Sequence, residues 1–179
     1  MPAWLLYGLK HVVLLLATLL LITLLEHSVF SVETLSVVIV LLAVGKTIFF
    51  VRQSYLKIVE VSRQNTPYYQ FMRFIALNII LVIFSFGLDY WCLTQVNPKS
   101  FVGFQPEETP FEIFFDCFYF SSLNFTVFGY GELMPRTVYS KLLVLMEVCI
   151  SCLTFLFILS DFISLKESLQ KQDGATPQK

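Results

Sequence analysis

The chain has 179 residues, of which 56% are hydrophobic and only 14% are charged. Soluble domains contain about 45–50% apolar and about 25% charged residues, so this composition indicates an integral membrane protein with one compact membrane domain. The formal net charge of -1 excludes the strong positive field of a nucleic-acid-binding protein, and no nucleic-acid partner is expected.

Four segments are long and apolar enough to cross a membrane as helices, which takes about 20 residues each. They are Trp4–Leu25, Val32–Val51, Phe74–Leu93 and Val138–Leu165. A shorter apolar run, Phe111–Phe128, lies between the third and the fourth, and its length is typical of a re-entrant segment. The sequence therefore predicts an all-α membrane protein with four transmembrane helices and a re-entrant segment between helices 3 and 4.

The distribution of lysine and arginine among the short loops predicts the orientation. The loop Arg52–Arg73 carries four of them, Glu26–Glu33 none, Thr94–Pro110 one, and the tail 166–179 three. We therefore expect cytoplasmic N- and C-termini in a multi-pass plasma-membrane protein. The small size of the chain suits a bacterial inner membrane.

Residues 51–62 have apolar positions at helical spacing, so the second span is predicted to continue as a helix beyond the membrane. The sequence Asn65–Pro67 ends it. This break divides the chain into residues 1–67, with two helices and a cytoplasmic linker; 68–165, with the remaining spans; and 166–179, a short polar tail. Lys46, near the inner end of the second span, is expected to extend its ammonium group to the cytoplasmic face.

The run Phe111–Phe128 has the signals of a short helix that enters the membrane from outside. Thr109 suits an N-cap and Pro110 the first helical position, and Glu112 and Asp116 follow where acids favour the helix dipole. The negative C-terminal end of such a helix would face the membrane interior, which is favourable for a cation.

The sequence after this helix, Val127–Glu132, must return outward as irregular chain. Gly129 and Gly131 permit backbone conformations closed to other residues, so successive carbonyls can turn to one side. Several such strands around an axis would form rings of carbonyl oxygens that replace the water shell of a cation. Tyr130 would pack behind the strand, and Glu132 would concentrate cations at the outer mouth.

This stretch resembles the pore loop of tetrameric potassium channels. The sequence FDCFYFSSLNFTVFGYGELMP matches the family pattern at Asp116, Tyr119–Ser121, Gly129–Gly131 and Pro135, and Glu132 replaces the usual aspartate. The resemblance covers about residues 71–165. It implies an outer helix, a pore helix that includes Asn124, a selectivity filter and an inner helix. It also implies a homotetramer in membrane lipid that conducts monovalent cations, with potassium at the carbonyls of Val127, Phe128, Gly129 and Tyr130.

The filter departs from the Thr-Val-Gly-Tyr-Gly sequence that is common in the family. With the spacing held, this chain has Val127-Phe128-Gly129-Tyr130-Gly131, and Thr126 lies one position early. Substitution is the favoured interpretation, and it removes the hydroxyl ring of the inner ion site. The alternative is an inserted phenylalanine, which would return Thr126 to the filter but lengthen the spacing.

The fourth span also departs from the resemblance, because Ser151 stands near the usual hinge glycine and Val138–Leu165 contains no glycine. Cys152, Phe155 and Leu159 resemble cavity-facing positions, where apolar rings gate by dewetting. Two acids lie in this span. Glu147 is expected to brace the pore helix or a neighbouring subunit, with ion contact as the alternative. Asp161 is either a wet interfacial acid or part of a cation-attracting ring at the inner mouth.

The four cysteines form no pattern typical of a metal or redox site. Cys149 and Cys152 are interpreted as small residues on a buried helix face, and a disulfide between Cys92 and Cys117 remains an alternative. The sequence has no nucleophile–base set, metal cluster or phosphate loop, so we expect no enzyme and no cofactor other than transported potassium.

The favoured function is a tetrameric cation channel that conducts potassium. Two alternatives remain open at this point. The loss of the filter threonine is compatible with a weakly selective cation channel. It is also compatible with a non-conducting scaffold or regulatory subunit that keeps a channel-like fold.

Overall fold

The computed structural model describes residues 31–63, 68–129 and 131–173. Within these ranges the chain forms four helices and one short two-stranded ribbon. In chain order they are α1 (Val32–Arg63), α2 (Tyr68–Val96), β1 (Phe101–Val102), α3 (Pro110–Phe125), β2 (Met134–Pro135) and α4 (Val138–Asp173). The predicted first span, Trp4–Leu25, lies outside the described residues.

Three of the described helices are long and apolar enough to cross a membrane. The qualifying segments are Val32–Gln53, Met72–Val96 and Val138–Leu159, which agree with the second, third and fourth predicted spans. The predicted all-α membrane protein is thereby confirmed for this part of the chain. Helix α1 continues to Arg63, as the apolar spacing beyond the span predicts.

Helix α3 begins with the predicted cap. The backbone N–H of Thr109 donates to the Glu112 carboxylate at 2.6 Å, and the Glu112 N–H donates to the Thr109 hydroxyl at 3.4 Å. This reciprocal pair is a capping box, and Pro110 occupies the first turn. The hydrogen bonds from the Thr109 backbone and hydroxyl lower the pKa of the Glu112 carboxyl, so the helix start carries a stable negative charge.

Helix α3 ends at the depth of the middle of α4. The Ser151 hydroxyl donates to the carbonyl oxygen of Phe125, the last residue of α3. Ser151 lies 13 residues beyond Val138, which is about 20 Å along a helix with 1.5 Å rise per residue. Since Val138–Leu159 is a full span, α3 stops inside the membrane region, as a re-entrant helix must.

The chain returns from this depth to a ribbon that joins the C-terminal end of α2 to the N-terminal end of α4. Phe101 pairs with Pro135 and Val102 with Met134 in antiparallel register. The Ser100 carbonyl accepts hydrogen bonds from the Arg136 N–H at 2.9 Å and the Ser140 hydroxyl at 2.8 Å. These contacts hold the end of the returning loop, at β2, against β1 and the start of α4.

The core lies between α2, α3 and the ribbon, and aromatic rings fill its centre. The Tyr90 ring contacts Phe101 and Phe120 edge-on, with centroids 5.5 and 5.3 Å apart, and Phe101 and Phe120 lie 5.8 Å apart. Such edge-to-face pairs stabilise packing beyond the area they bury. Gly87 permits the close approach of α2 and α3, because a Cβ there would lie 3.1 Å from the Phe118 Cα.

Lys46 does not extend its ammonium group to the cytoplasmic face, so that prediction is wrong. Its side chain is buried, and Nζ lies 2.5 Å from the Asp89 carboxylate of α2. The partner explains the difference, because a buried ammonium group that meets a carboxylate in a neighbouring helix has no need to reach water. The pair joins α1 to the helices that hold the re-entrant segment.

Candidate functional site

The junction between α3 and the irregular chain is a Schellman motif. The Phe128 N–H donates to the Leu123 carbonyl at 3.1 Å, and the Val127 N–H donates to the Asn124 carbonyl at 3.0 Å. Val127 has φ 60°, the left-handed conformation that this motif requires and that glycine normally supplies. A β-branched residue in that conformation is strained, so the backbone conformation at Val127 is imposed by the surrounding structure.

Gly129 repeats the left-handed conformation two residues later, with φ 65°. The left-handed conformation therefore occurs at Val127 and at Gly129, on either side of Phe128. Tyr130 lies outside the described residues. A Cβ added at Gly129 would meet no atom within 4 Å. Within the single chain, glycine is therefore needed for the backbone conformation and not to avoid a steric clash.

Thr126 caps the C-terminus of α3. Its hydroxyl oxygen lies 3.0 Å from the Ser122 carbonyl and 3.1 Å from the Leu123 carbonyl, both within the helix. The hydroxyl proton is therefore directed to the helix. The structure thus gives Thr126 a capping role and leaves Val127 as the first residue of the irregular segment.

The segment Thr126–Gly129, which the sequence predicts to begin the filter, is open on the single chain. Val127 is 56% and Phe128 67% exposed, and Thr126 and Gly129 are exposed as well. Irregular backbone at membrane depth must be buried in protein or face water. These side chains are therefore available to contact water or other copies of the chain.

Glu132 lies in the returning loop just before β2, beside a cavity of about 370 Å³ that is also lined by Gly103, Asp116, Tyr119 and Gly131. Burial raises the pKa of the Asp116 carboxyl, and the charges of nearby glutamates, including Glu132, raise it further. The cavity therefore brings together acidic residues from α3 and from the returning loop.

Gly103, which the sequence does not single out, packs directly against the backbone of Glu132. Its φ is 125°, and a Cβ there would lie 2.7 Å from the Glu132 carbonyl carbon. Neither the conformation nor the space suits another residue.

We expect Gly103→Ala to lower the free energy of unfolding by about 1–3 kcal/mol, because it adds backbone strain and displaces Glu132. Denaturant titration of the purified chain measures this loss. Gly45→Ala is the matched control, because a Cβ at this helical position meets nothing within 4 Å. An equal response of the two variants would contradict the role of Gly103.

The predicted pore-helix residues lie on two faces of α3. Phe120, Ser121 and Asn124 are buried against the other helices, whereas Tyr119 is 52% exposed and Asp116 is half-buried. The buried face holds the helix in place, and the Tyr119 face is open on the single chain.

Glu147 of α4 contacts this buried face. It is fully buried, and its carboxyl oxygens meet the Tyr90 hydroxyl at 2.6 Å and the Ser121 hydroxyl. Tyr90 belongs to α2 and Ser121 to α3. The structure thus agrees with the expectation that Glu147 braces the pore helix, and it brings three helices together at one carboxyl group.

The predicted inner-cavity residues occupy different positions on α4. Ser151 is buried against the end of α3, and the Phe155 ring lies 5.9 Å from that of Phe125. Cys152 and Leu159 are exposed on the single chain, which leaves them available to line a cavity between copies. The side chain of Asp161 lies outside the described part of the chain.

One expectation for the cysteines is wrong within the single chain. Cys149 and Cys152 are both exposed rather than part of a buried face, because sequence periodicity does not distinguish an open helix face from a packed one. Cys92 and Cys117 are both buried and free, so the alternative of a disulfide between them is not observed.

Comparison with known proteins identifies the class. The family described as ion channel matches residues 75–167, more than half of the chain, from α2 through the re-entrant helix to α4. The chain belongs to this ion channel family. The predicted potassium-channel resemblance and the prediction that the chain is not an enzyme are thereby confirmed.

This ion channel chain is 30% identical over 97 residues to two-pore potassium channel 4 of Arabidopsis thaliana. The aligned region covers 54% of the chain and 31% of the plant protein, so the chain spans about a third of that relative's length. No solved structure matches the chain.

Proposed function

We propose that the chain assembles as a homotetramer and conducts potassium ions through the carbonyl oxygens of Val127–Gly131. The observation that carries this proposal is the exposed irregular segment after α3, which begins at mid-membrane depth. One chain leaves its backbone uncovered, and a membrane tolerates that only beside protein or water. Four copies around an axis supply both, with protein behind each strand and a water-filled path in front.

The backbone of the segment supports a cation as the transported species. Helix α3 ends near the start of the segment, and the C-terminal end of a helix carries partial negative charge. The left-handed residues Val127 and Gly129 change the direction of successive peptide groups. Rings of four carbonyl oxygens would replace the hydration shell of a potassium ion.

The remaining predicted site residues complete the path. Glu132 and Asp116 would attract cations at the outer entrance, and Cys152, Phe155 and Leu159 would line the inner cavity. Asp161 would lie toward the inner mouth. In this arrangement residues 68–165 form the pore domain, 1–67 and 166–179 flank it, and both termini are cytoplasmic in a plasma membrane.

A weakly selective cation channel is the second candidate, and one observation favours it. Val127 offers no side-chain oxygen at the inner end of the filter, and the Thr126 hydroxyl is directed to helix carbonyls. Without a hydroxyl ring, the innermost ion site has fewer oxygen ligands. The outer sites depend on backbone carbonyls and are the same in both candidates.

Reversal potentials of the purified full chain in bilayers with potassium on one side and sodium on the other distinguish the two candidates. Under these bi-ionic conditions the reversal potential reports the ratio of potassium to sodium permeability, and we expect a large potential of the sign set by potassium for the wild type. The double variant Val127→Thr with Phe128→Val restores the common filter sequence and should increase that potential further. A wild-type potential near zero that the double variant moves strongly would favour the weakly selective channel. Absence of current from both would favour a non-conducting scaffold.

A further inference from the structure

We propose that Glu147 acts as a neutral carboxylic acid, and that in this form it positions the pore helix by donating a hydrogen bond to Ser121. The proposal rests on the proposed function where it concerns conduction. The proton itself is a property of the folded chain and has its own test.

The hydrogen bonds at Ser121 require one more proton than the two hydroxyls supply. The Ser121 hydroxyl oxygen lies 2.9 Å from the Ile83 carbonyl of α2 and also contacts Glu147 Oε1. A carbonyl only accepts, and a serine hydroxyl has a single hydrogen. If Ser121 donates to Ile83, its contact with Glu147 is a hydrogen bond only when Glu147 carries the proton.

The opposite oxygen of Glu147 completes the assignment. The Tyr90 hydroxyl donates to Glu147 Oε2 at 2.6 Å. The protons then follow one order: Tyr90 donates to Glu147 Oε2, Glu147 donates from Oε1 to Ser121, and Ser121 donates to the Ile83 carbonyl. Each contact has one proton, whereas an ionised Glu147 leaves one of the two Ser121 contacts without a full hydrogen bond.

The surrounding charges agree with a neutral group. Glu147 has no exposed surface, and the described groups around its carboxyl are the hydroxyls of Tyr90 and Ser121 and the side-chain amide of Asn124, none of which is a cation. An ionised carboxylate in that place would be a buried charge without a counter-ion. Asp89, the neighbouring acid on α2, is already paired with Lys46 of α1, so that ammonium group does not serve Glu147.

The consequence for the channel follows from the position of Ser121. This residue lies on the buried face of α3, four residues before the end of that helix at Phe125. The hydrogen bonds from Glu147 and to Ile83 therefore hold the pore helix between α2 and α4 next to the start of the filter. Glu147 is a positioning residue for the filter that does not contact the ion.

Glu147→Gln is the sharpest variant, because its amide donates to Ser121 and accepts from Tyr90 as the neutral acid does. We expect its potassium flux in liposomes to stay within about twofold of wild type, and that of Glu147→Ala, which leaves buried hydroxyls unpaired, to fall by about tenfold or more. A glutamine variant as impaired as the alanine variant would overturn the proposal, because it would show that the charge is needed.

Infrared spectroscopy tests the proton without reference to conduction. The wild-type minus Glu147→Gln difference spectrum of the full chain at neutral pH should contain the carbonyl band of a protonated carboxylic acid. Ser121→Ala should shift that band, because the acid loses its acceptor. A difference spectrum with carboxylate bands instead would overturn the proposal even if the channel conducts. The acid band in a chain without flux would leave the proton assignment intact and reject the proposed function.

Discussion

Gly129→Ala should abolish potassium flux through the purified chain in liposomes. Gly129 has φ 65°, and an L-residue in the left-handed region costs roughly 1–2 kcal/mol. In a homotetramer this cost applies four times around one axis. Relaxation of the strain would rotate the peptide groups on either side and turn carbonyl oxygens away from the ion path.

The matched control for this variant is Gly45→Ala. Added Cβ atoms at both positions meet nothing within 4 Å, so the two substitutions differ in the backbone conformation that they oppose. Gly45 lies in helix α1, where alanine is favoured over glycine by roughly 0.5–1 kcal/mol. We expect normal flux from Gly45→Ala. Normal flux from Gly129→Ala would contradict the assignment of the filter.

Single substitutions in the Lys46–Asp89 pair should cause the largest loss of stability. Both side chains are buried and the charged atoms lie 2.5 Å apart. Removal of one partner leaves an unpaired charge in a low-dielectric environment, so Lys46→Met or Asp89→Asn should lower the free energy of unfolding by about 3–5 kcal/mol. Equilibrium unfolding of the purified chain in a denaturing detergent measures this change.

The double variant Lys46→Met with Asp89→Leu shows whether the loss comes from the unpaired charge. Apolar replacement of a whole buried pair is often neutral or stabilising, so the double variant should recover most of the stability. Lys141→Met, at an exposed position on α4, should change the free energy of unfolding by no more than about 0.5 kcal/mol. Single variants as stable as Lys141→Met would contradict the structural role of the pair.

The described spans and the re-entrant helix are predictable from sequence because their signals are local. Apolar length alone identifies the spans from Val32 onward, and the capping residues Thr109 and Glu112 identify the start of α3 to the residue. The glycines at 129 and 131 identify the irregular segment in the same way. Each signal is contained in one continuous segment of the chain.

The contacts between the helices depend on residues far apart in sequence. Lys46 and Asp89 are 43 residues apart, and Tyr90 and Glu147 are 57 apart. A lysine in one span and an aspartate in the next were a usable signal, because ionisable residues inside a membrane usually pair with one another. The orientation of each helix about its axis, which decides these partners, is not fixed by apolar length.

The left-handed conformation of Val127 could not be predicted from the local sequence, for a different reason. Backbone sterics disfavour it for a β-branched residue, so sequence reasoning expects glycine wherever a Schellman motif ends a helix. Here the hydrogen bonds of the motif and the fixed position of α3 between α2 and α4 maintain it. The conformation results from the packing of the helices, and the residues next to Val127 in the sequence do not predict it.

The most direct measurement of the central claim is an electron cryo-microscopy map of the purified full chain in potassium. The account predicts four copies around an axis, with the segment Val127–Gly131 of each copy facing that axis. It also predicts discrete density on the axis at the level of the Gly129 carbonyls, which weakens when sodium replaces potassium. A map without four-fold symmetry, or with the segment facing lipid and no density on the axis, would contradict it.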